Sequence, residues 1–215
     1  MPAQVPSPSV PARRRGRPPK QTNGLCATRE ALLQAGLARL TEKGFSATGL
    51  EEILSQVGVP KGSFYHYFAS KEAFGLALID RYAAYFADKL DRFLLNPGRR
   101  PLDRLRDFVD HAKAGMARHD FQRGCLIGNL GQEMGALPAA FRQRLIDVFN
   151  DWQQRVAACL ALAVEAGEIP PTADCQRLAS AFWIGWEGAV LRAKLEGSAE
   201  PLGVFSDFFF AGMCR

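Results

Sequence analysis

The chain of 215 residues contains no apolar run that approaches the ~20 residues of a membrane span. It also lacks the continuous apolar stretch of a secretory signal near its start, any useful length of strand-like alternation, and internal repeats. These absences argue against a membrane or exported protein. They predict an all-α protein that works in the reducing environment of the cytoplasm.

Metal-ligand spacing is missing as well. The five cysteines are Cys26, Cys125, Cys159, Cys175 and Cys214, with no CxxC pair and no Cys/His cluster. We therefore predict no zinc site, no metal and no cofactor. A thiol-dependent enzyme using Cys125 is the alternative from another class, but neither His111 nor His119 has a recognisable triad context, so the prediction is that the protein is not an enzyme.

Acidic residues are absent from the first 24 positions, which hold five of the 27 basic residues and so leave 22 basic against 22 acidic residues elsewhere. This Pro-rich segment is predicted to be a disordered arm, residues 1–24. Its Arg15-Gly16-Arg17-Pro18 run resembles the core of an AT-hook, in which Arg15 and Arg17 would enter a narrow minor groove. A non-specific phosphate-binding arm is the equal alternative. Either arm would add salt-sensitive affinity for DNA.

What is present is a helix-turn-helix pattern between residues 28 and 95. A helix over 28–43 precedes Thr48-Gly49-Leu50-Glu51, read as a capping box for a helix over 50–56, and Gly58 supplies the turn. The second helix of the motif buries Phe64 and Phe68. Its outward side chains are Lys61, Ser63, Tyr65, His66 and Tyr67, which suit hydrogen bonding to phosphates and sugars. Ser70 is the predicted N-cap of a long helix to about residue 95.

Helical periodicity continues to the end of the chain. The predicted helices cover residues 102–118, 125–134, 138–166, 175–196 and 202–213. The helix over 175–196 has a stripe of small residues, Ala181, Gly185, Ala189 and Ala193, which favours a dimer surface or, alternatively, close packing within one subunit. A second stripe, Trp183, Glu187, Val190 and Lys194, suits a ligand pocket, with a buried Trp183 and solvated charges as the alternative.

The segment TEKGFSATGLEEILSQVGVPKGSFYHYFASKEAF resembles the DNA-binding domain of TetR-family repressors over roughly residues 28–86. The resemblance implies an all-α homodimer with a helix-turn-helix domain over 25–72 and an effector-binding and dimerisation domain over 73–215. By motif position, the DNA-binding residues would be Lys61, Gly62 and Ser63 at base edges and Thr48, Tyr65, His66 and Lys71 at phosphates.

Two further segments, RGCLIGNLGQEMGAL and FWIGWEGAVLRAKLE, resemble the branch of this family that responds to acrylate or to reactive electrophiles. The resemblance implies an effector site formed by Cys125, Asn129, Glu133, Trp183, Glu187 and Lys194. It further implies that Cys125 and Lys194 meet in the fold, with Lys194 promoting the thiolate. From the residues alone, Cys125 lies at a helix start, which lowers a thiol pKa, but an inert packed cysteine is as good an interpretation.

A comparison of binding free energies favours covalent sensing. Shifting a two-state repressor from 1:99 to 99:1 takes about 5.5 kcal/mol of differential binding, whereas a ligand of about five heavy atoms gains at most roughly 7.5 kcal/mol in total. The free energy of forming a covalent bond is not subject to this limit on noncovalent binding. The sequence therefore predicts a dimeric repressor that binds double-stranded operator DNA and is released by a small electrophile, oxidant or unsaturated acid acting near Cys125. The alternative is a noncovalent small-molecule inducer with a structural Cys125.

Overall fold

The computed structural model describes residues 22–213, and this part of the chain is helical throughout, with no strand. The helices are α1 (Thr22–Lys43), α2 (Leu50–Val57), α3 (Lys61–Phe64), α4 (Lys71–Leu94), α5 (Pro101–Ala117), α6 (Leu126–Gln132), α7 (Ala139–Glu165), α8 (Cys175–Glu196) and α9 (Glu200–Met213). The prediction of an all-α protein is confirmed. The predicted arm, with Arg15 and Arg17, lies outside the described residues apart from its last three positions.

Local sequence signals explain most helix ends. The Ser70 hydroxyl accepts a hydrogen bond from the backbone N–H of Ala73 at 3.0 Å and starts α4 as predicted. Gly58 ends α2 with a left-handed backbone, φ 67°, which glycine adopts without a steric penalty. The capping box at Thr48 is wrong: Gly49 is the N-cap of α2 and no side chain caps it. Glu51 forms an ion pair with Lys61 instead of reaching back.

Buried aromatic side chains hold the two halves of the molecule together. In the first half, Phe64 is buried against Phe68 and Phe74, with ring centroids 5.4 and 5.6 Å away. In the second half, Trp152 packs against Phe86 of α4 at 4.3 Å and against Trp183 of α8 at 5.0 Å. Helix α4 contributes to both clusters, so it connects the helix-turn-helix rigidly to the larger bundle.

Helices α8 and α9 pack against each other and leave an apolar face outside. A methyl group at Gly185 would lie 2.3 Å from the ring of Phe205 on α9, while Ala189 and Ala193 are buried. The prediction that this small-residue stripe forms the dimer surface is therefore wrong, because most of the stripe packs within the subunit. The outer face carries the exposed side chains of Ile184, Leu191, Leu195, Val204 and Phe208, called here the α8–α9 face.

Residues 22–213 contain neither a candidate membrane span nor a cluster of metal ligands. None of their helices combines the length and the apolar character that a bilayer crossing requires. Within the same range, no three or more His, Cys, Asp or Glu side chains are grouped so that they could bind a metal ion.

Candidate DNA-binding surface and effector cavity

The second helix of the helix-turn-helix is short, and its sequence divides cleanly between core and surface. Phe64 is fully buried, and the turn that follows α3 leaves Tyr65 exposed (58%) with His66 exposed beside it. Tyr67, predicted to face outward, is half-buried against the core, because the chain turns back there toward Phe68. The exposed set available to a DNA groove is therefore Lys61, Gly62, Tyr65 and His66, with Ser63 half-buried beside them.

Gly62 has no structural reason to be glycine. It is exposed, and a Cβ built there would meet no atom within 4 Å. A side chain would also favour the helix, since glycine is the poorer helix former by about 1 kcal/mol. The missing side chain is therefore consistent with a surface that another molecule approaches closely.

Lys61 forms an exposed ion pair with Glu51 at 2.6 Å. The hydrogen bond from Lys61 lowers the pKa of Glu51 and raises that of Lys61, with charge attraction acting in the same directions. Exposed pairs of this kind are weak, so the ammonium can exchange this carboxylate for a phosphate or a base edge at little cost.

Thr48 and Lys71, which were predicted to bind phosphate, donate hydrogen bonds to backbone carbonyls of the protein itself. Thr48 is buried, and its hydroxyl donates to the Gly44 carbonyl at 2.6 Å. The Lys71 ammonium donates to the carbonyls of Phe45 at 3.1 Å and Thr48 at 2.9 Å, and it lies 4.5 Å from the centre of the Phe45 ring. Both side chains stabilise the α1–α2 turn in this conformation, which corrects the prediction that they grip phosphate.

The effector half encloses a cavity of about 420 Å³ between α1, α4, α5, the start of α6 and α8. Its buried end is lined by Tyr82, Phe86, Cys125, Trp186, Glu187 and Val190. Its exposed end is lined by Lys89, Arg118 and His119, which come from α4 and from the turn after α5. The volume falls in the range of small-molecule sites, which is about 300–1,000 Å³.

Cys125 is the N-cap residue of α6, and its sulfur accepts a hydrogen bond from the backbone N–H of Gly128 at 3.5 Å. Burial raises the pKa of the Cys125 thiol well above its usual value, and the nearby Glu187 carboxylate raises it further, while the Gly128 N–H opposes the shift. The lowering effect of the helix start is therefore outweighed by burial, so the net shift of this pKa is opposite to the prediction. At rest, the group is a protonated thiol on the cavity wall.

Glu187 is the acidic partner of this thiol. Burial raises the pKa of its carboxyl group from 4.5 to about 7, while hydrogen bonding with Cys125 acts in the opposite direction. The carboxylate lies directly over Gly128: a methyl group there would lie 2.0 Å from Glu187 Oε2, so any larger residue would displace the carboxylate from this position. Its other oxygen, Oε1, is buried without a hydrogen-bond partner in the described part of the chain, so a ligand donor can use it.

Lys194 is held by backbone carbonyls of α1 and not by the predicted contact with Cys125. Its ammonium donates to the carbonyls of Thr41 at 3.1 Å and Glu42 at 2.7 Å, at the C-terminal end of α1. Burial lowers the pKa of Lys194, with nearby Glu42 opposing the shift. The lysine thus satisfies carbonyls that have no partner within their own helix and meets the negative end of the helix dipole.

Asn129 and Glu133 also hydrogen-bond the backbone at the C-terminal end of α1 and just after it. The Asn129 amide donates to the carbonyls of Leu40 at 3.2 Å and Thr41 at 3.0 Å. The Glu133 carboxylate accepts from the backbone N–H groups of Phe45 at 2.9 Å and Ser46 at 2.7 Å. Together with Lys194, these side chains form what we call the α1 clasp.

The clasp connects the cavity to the helix-turn-helix through the end of α1 and the residues after it, 40–46. The Gly124 N–H donates to the Thr41 carbonyl at 3.1 Å, directly beside Cys125. Gly44 has φ 83°, and a methyl group there would lie 1.8 Å from Glu133 Oε1, so glycine is required on both counts. The hydrogen bonds of the clasp that involve a charged group are each worth about 1.5–3 kcal/mol, so the clasp stabilises the packing of α6 against the end of α1.

The six predicted effector residues therefore divide into three groups. Cys125 and Glu187 line the cavity, whereas Asn129, Glu133 and Lys194 bind α1. Trp183 is buried in the aromatic core, and it is Trp186, one turn along α8, that reaches the cavity.

Sequence reasoning missed the contribution of α4 to the cavity. Tyr82, Phe86 and Lys89 line it and recur at helical spacing within a helix that was correctly predicted, so this stripe was a usable signal. Arg118 and His119 carried no such signal. They follow the end of α5, where Asp120 and Phe121 take positive φ values of 49° and 56°.

Two family profiles match the chain. The profile described as "Bacterial regulatory proteins, tetR family" matches residues 32–78, and that described as "Tetracyclin repressor-like, C-terminal domain" matches residues 101–209. The boundary between them falls within and after α4, which is the helix shared by both aromatic clusters.

Individual relatives agree with these profiles over most of the chain. The transcriptional regulator AcuR of Cereibacter sphaeroides is 53% identical over 210 residues, covering 97% of this chain and 95% of the relative. The repressor NemR of Escherichia coli is 34% identical over 179 residues, covering 81% and 88%.

Solved structures give the same assignment. A regulatory protein described as TetR from Rhodobacter sphaeroides is 54% identical, with a TM-score of 0.84 and coverage of 86% of this chain and 97% of that structure. Reduced NemR of Escherichia coli is 31% identical, with a TM-score of 0.78 and coverage of 85% and 95%. These relatives are DNA-binding regulators rather than enzymes, and the chain belongs to the TetR family of transcriptional regulators.

Proposed function

We propose that this protein is a cytoplasmic repressor that binds an inverted-repeat operator as a homodimer and is released by a small α,β-unsaturated or otherwise electrophilic effector at Cys125. The observation that carries the proposal is the position of Cys125: it lines the cavity, and its chain neighbour Gly124 hydrogen-bonds the end of α1. A change at this thiol therefore acts directly on the segment that holds the helix-turn-helix.

The homodimer is supported by the α8–α9 face. Ile184, Leu191 and Leu195 recur at i, i+7 and i+11 along α8, and Ile184 (75% exposed) and Phe208 (83% exposed) are unusually open for large apolar side chains. A second copy of the same face would cover them by two-fold symmetry. The dimer would set the two α3 helices about 34–36 Å apart, matching successive major grooves.

The proposed division of labour follows the predicted domains, 25–72 for DNA and 73–215 for effector and dimer. The DNA contacts are Lys61, Gly62, Ser63, Tyr65 and His66, together with Arg15 and Arg17 of the N-terminal arm. Thr48 and Lys71 act on the DNA indirectly, because they fix the turn between α1 and α2.

The chemistry at the buried end suits conjugate addition. The Cys125 proton passes to the Glu187 carboxylate, the sulfur forms a bond to the β-carbon of the effector, and the carbon–carbon π bond breaks. The α-carbon then takes up the proton held by Glu187, which returns to its carboxylate form, so that atoms and charge balance without an oxidant. Glu187 is suited to this exchange because its pKa is about 7, near the ambient pH.

Release follows from the geometry of the clasp. An adduct at Cys125 has to be accommodated between α6 and Glu187, where a single methyl group at Gly128 would already overlap the carboxylate. The displacement of α6 is passed to α1 through Asn129 and Glu133. Since α1 packs on α2, the two recognition helices lose the spacing that the operator requires.

The second candidate is a noncovalent inducer with a structural Cys125. The observation that favours it is the raised pKa of the thiol, because a protonated thiol reacts slowly with electrophiles. In this case the unpartnered Glu187 oxygen would bind a donor of the ligand.

The deciding experiment compares Cys125→Ser with Cys175→Ser, a half-buried cysteine that does not line the cavity. Acrylamide and acrylate would be added to the operator complex, with release followed by fluorescence anisotropy and adducts located by peptide mass spectrometry, because Cys26 is exposed and can also react. We expect an adduct at Cys125 and release in the wild type and in Cys175→Ser, and at least about tenfold weaker release in Cys125→Ser. Full release of Cys125→Ser would reject the covalent mechanism at this residue in favour of the noncovalent one.

A further inference from the structure

The exposed end of the cavity contains basic side chains without acidic partners. Four lysine and arginine side chains line the cavity, namely Arg81, Lys89, Arg118 and Arg123. Arg81 pairs with Glu30, and Arg123 pairs with Glu42 at 3.0 Å. Lys89 and Arg118 form no ion pair with any described residue.

Lys89 is held at this end by its surroundings. Its ammonium lies 5.7 Å from the centre of the Tyr85 ring and 5.8 Å from that of Phe86, and both rings line the cavity. Burial lowers the pKa of Lys89, and the positive charges of Arg118 and Arg92 lower it further. A half-buried ammonium surrounded by like charges is costly unless an anion completes the site.

The turn after α5 supplies Arg118 and adds one further polar group, His119. Arg118 caps the end of that helix, and His119 lines the cavity beside it. The next two residues, Asp120 and Phe121, have positive φ values of 49° and 56°, which non-glycine residues adopt only when the surroundings demand it. The chain is thus turned sharply immediately after the two basic residues.

The distance between the two ends of the cavity sets the length of a ligand. Tyr82 lines the buried end with Cys125, and Lys89 lies seven residues further along α4. At 1.5 Å per residue, this separation is about 10 Å. A ligand of five heavy atoms has roughly the volume of a few water molecules, ~30 Å³ each, so it would fill less than half of the 420 Å³ cavity.

We infer that the effector is an elongated anion, with a reactive or unsaturated acyl group at Cys125 and a carboxylate or phosphate about 10 Å away that binds Lys89, Arg118 and His119. The inference rests on the proposed function, since it completes the same cavity, and it assigns the exposed end as an anion subsite. Acrylate alone is too short to occupy both ends.

The test uses the full-length protein and three matched probes. The first is N-acryloyl-6-aminohexanoate, which joins an acrylamide group to a distant carboxylate. The second is its neutral terminal amide, and the third is the saturated N-propionyl-6-aminohexanoate, which cannot react with a thiol. Rates of Cys125 alkylation are followed by peptide mass spectrometry, which separates them from reaction at the exposed Cys26, and binding of the saturated probe by calorimetry.

We expect the anionic acrylamide to alkylate the wild type at least about tenfold faster than its neutral amide at low salt, because charge-assisted hydrogen bonds add this much affinity. The preference should collapse in Lys89→Gln/Arg118→Gln and persist in Arg142→Gln, which removes an exposed charge on α7.

The outcomes separate the two proposals. Equal rates for the charged and neutral probes in the wild type would overturn the anion subsite while leaving Cys125 as the sensor. No alkylation by either probe, with the saturated anion bound by the wild type at least about tenfold more tightly than by the double variant, would support the subsite and reject covalent sensing. Equal binding of the saturated probe by all three proteins would also overturn the subsite.

Discussion

The Glu187 carboxylate lies beside Cys125, and its charge state depends on pH near neutrality. Burial raises its pKa from 4.5 to about 7, so the folded protein holds this proton more tightly than the unfolded chain does. The associated stability is fully present below about pH 4.5 and is lost as the pH rises through about 7. The difference between the two pKa values corresponds to about 3 kcal/mol.

We therefore predict that Glu187→Gln changes the dependence of stability on pH. Between pH 5 and pH 8, the wild type should lose up to about 3 kcal/mol of unfolding free energy relative to the variant, because only the wild type has to ionise a buried carboxyl group. Urea unfolding at fixed protein concentration measures this difference. Glu196→Gln, at an exposed position on the same helix, is the matched control, and parallel pH profiles for wild type and Glu187→Gln would contradict the prediction.

Single residues also show why only some of the site was predictable. Phe64 and Phe68 were assigned correctly, because apolar spacing around a turn leaves few other places for large rings. Thr48 was assigned wrongly, because a threonine hydroxyl can donate as well as accept, and here it donates to Gly44. Lys194 finds its partners in Thr41 and Glu42, about 150 residues away, which no local pattern reveals.

At the scale of helices, the α1 clasp connects the cavity, which is the proposed effector site, to the DNA-binding unit. Helix α6 is short, from Leu126 to Gln132, and it carries Asn129 within it and Glu133 at its end. Lys194 near the end of α8 donates to the carbonyls of Thr41 and Glu42, and it shares the Thr41 carbonyl with Asn129. Helices α6 and α8, which border the cavity, thus cap the C-terminal end of α1, which leads into the helix-turn-helix.

We predict that Lys194→Met uncouples this connection without removing the aliphatic stem. The carbonyls of Thr41 and Glu42 would lose a charged donor, so the end of α1 should fray and operator affinity should fall roughly tenfold. Hydrogen exchange of residues 40–46 should become faster. Lys113→Met is the control, because that lysine pairs only with Asp110 on its own helix, at 3.6 Å. Unchanged exchange at residues 40–46, with full operator affinity, would show that the clasp does not support α1.

Helix positions were more predictable than helix partners. The range of α8 was predicted without error and Ser70 was correctly named as the cap of α4, because capping residues and periodicity are local signals. Which face of α8 points outward was not predictable from the small-residue stripe. Small side chains allow close packing against any neighbour, and the neighbour of Gly185 is Phe205 of the same subunit.

For the molecule as a whole, the proposed operator complex requires two recognition helices at a fixed separation, and the fold provides one per chain. The exposed apolar side chains of α8 and α9 lie on a surface that α3, far along the chain, does not share. Association through this surface would leave both α3 helices free for DNA and keep each cavity within one subunit. Dimerisation and effector binding are then separable by mutation.

Phe208→Asp tests whether dimerisation and effector binding can be separated. Phe208 is the most open apolar side chain of the α8–α9 face, 83% exposed. Two buried carboxylates facing each other across a two-fold axis would disfavour the dimer strongly, so the variant should sediment as a monomer and lose operator binding. Its reaction with acrylamide at Cys125 should continue, because the cavity is formed by one subunit. Leu95→Asp, at a leucine 64% exposed outside this face, is the control and should remain dimeric. A Phe208→Asp protein that stays dimeric and binds the operator normally would place the dimer interface elsewhere.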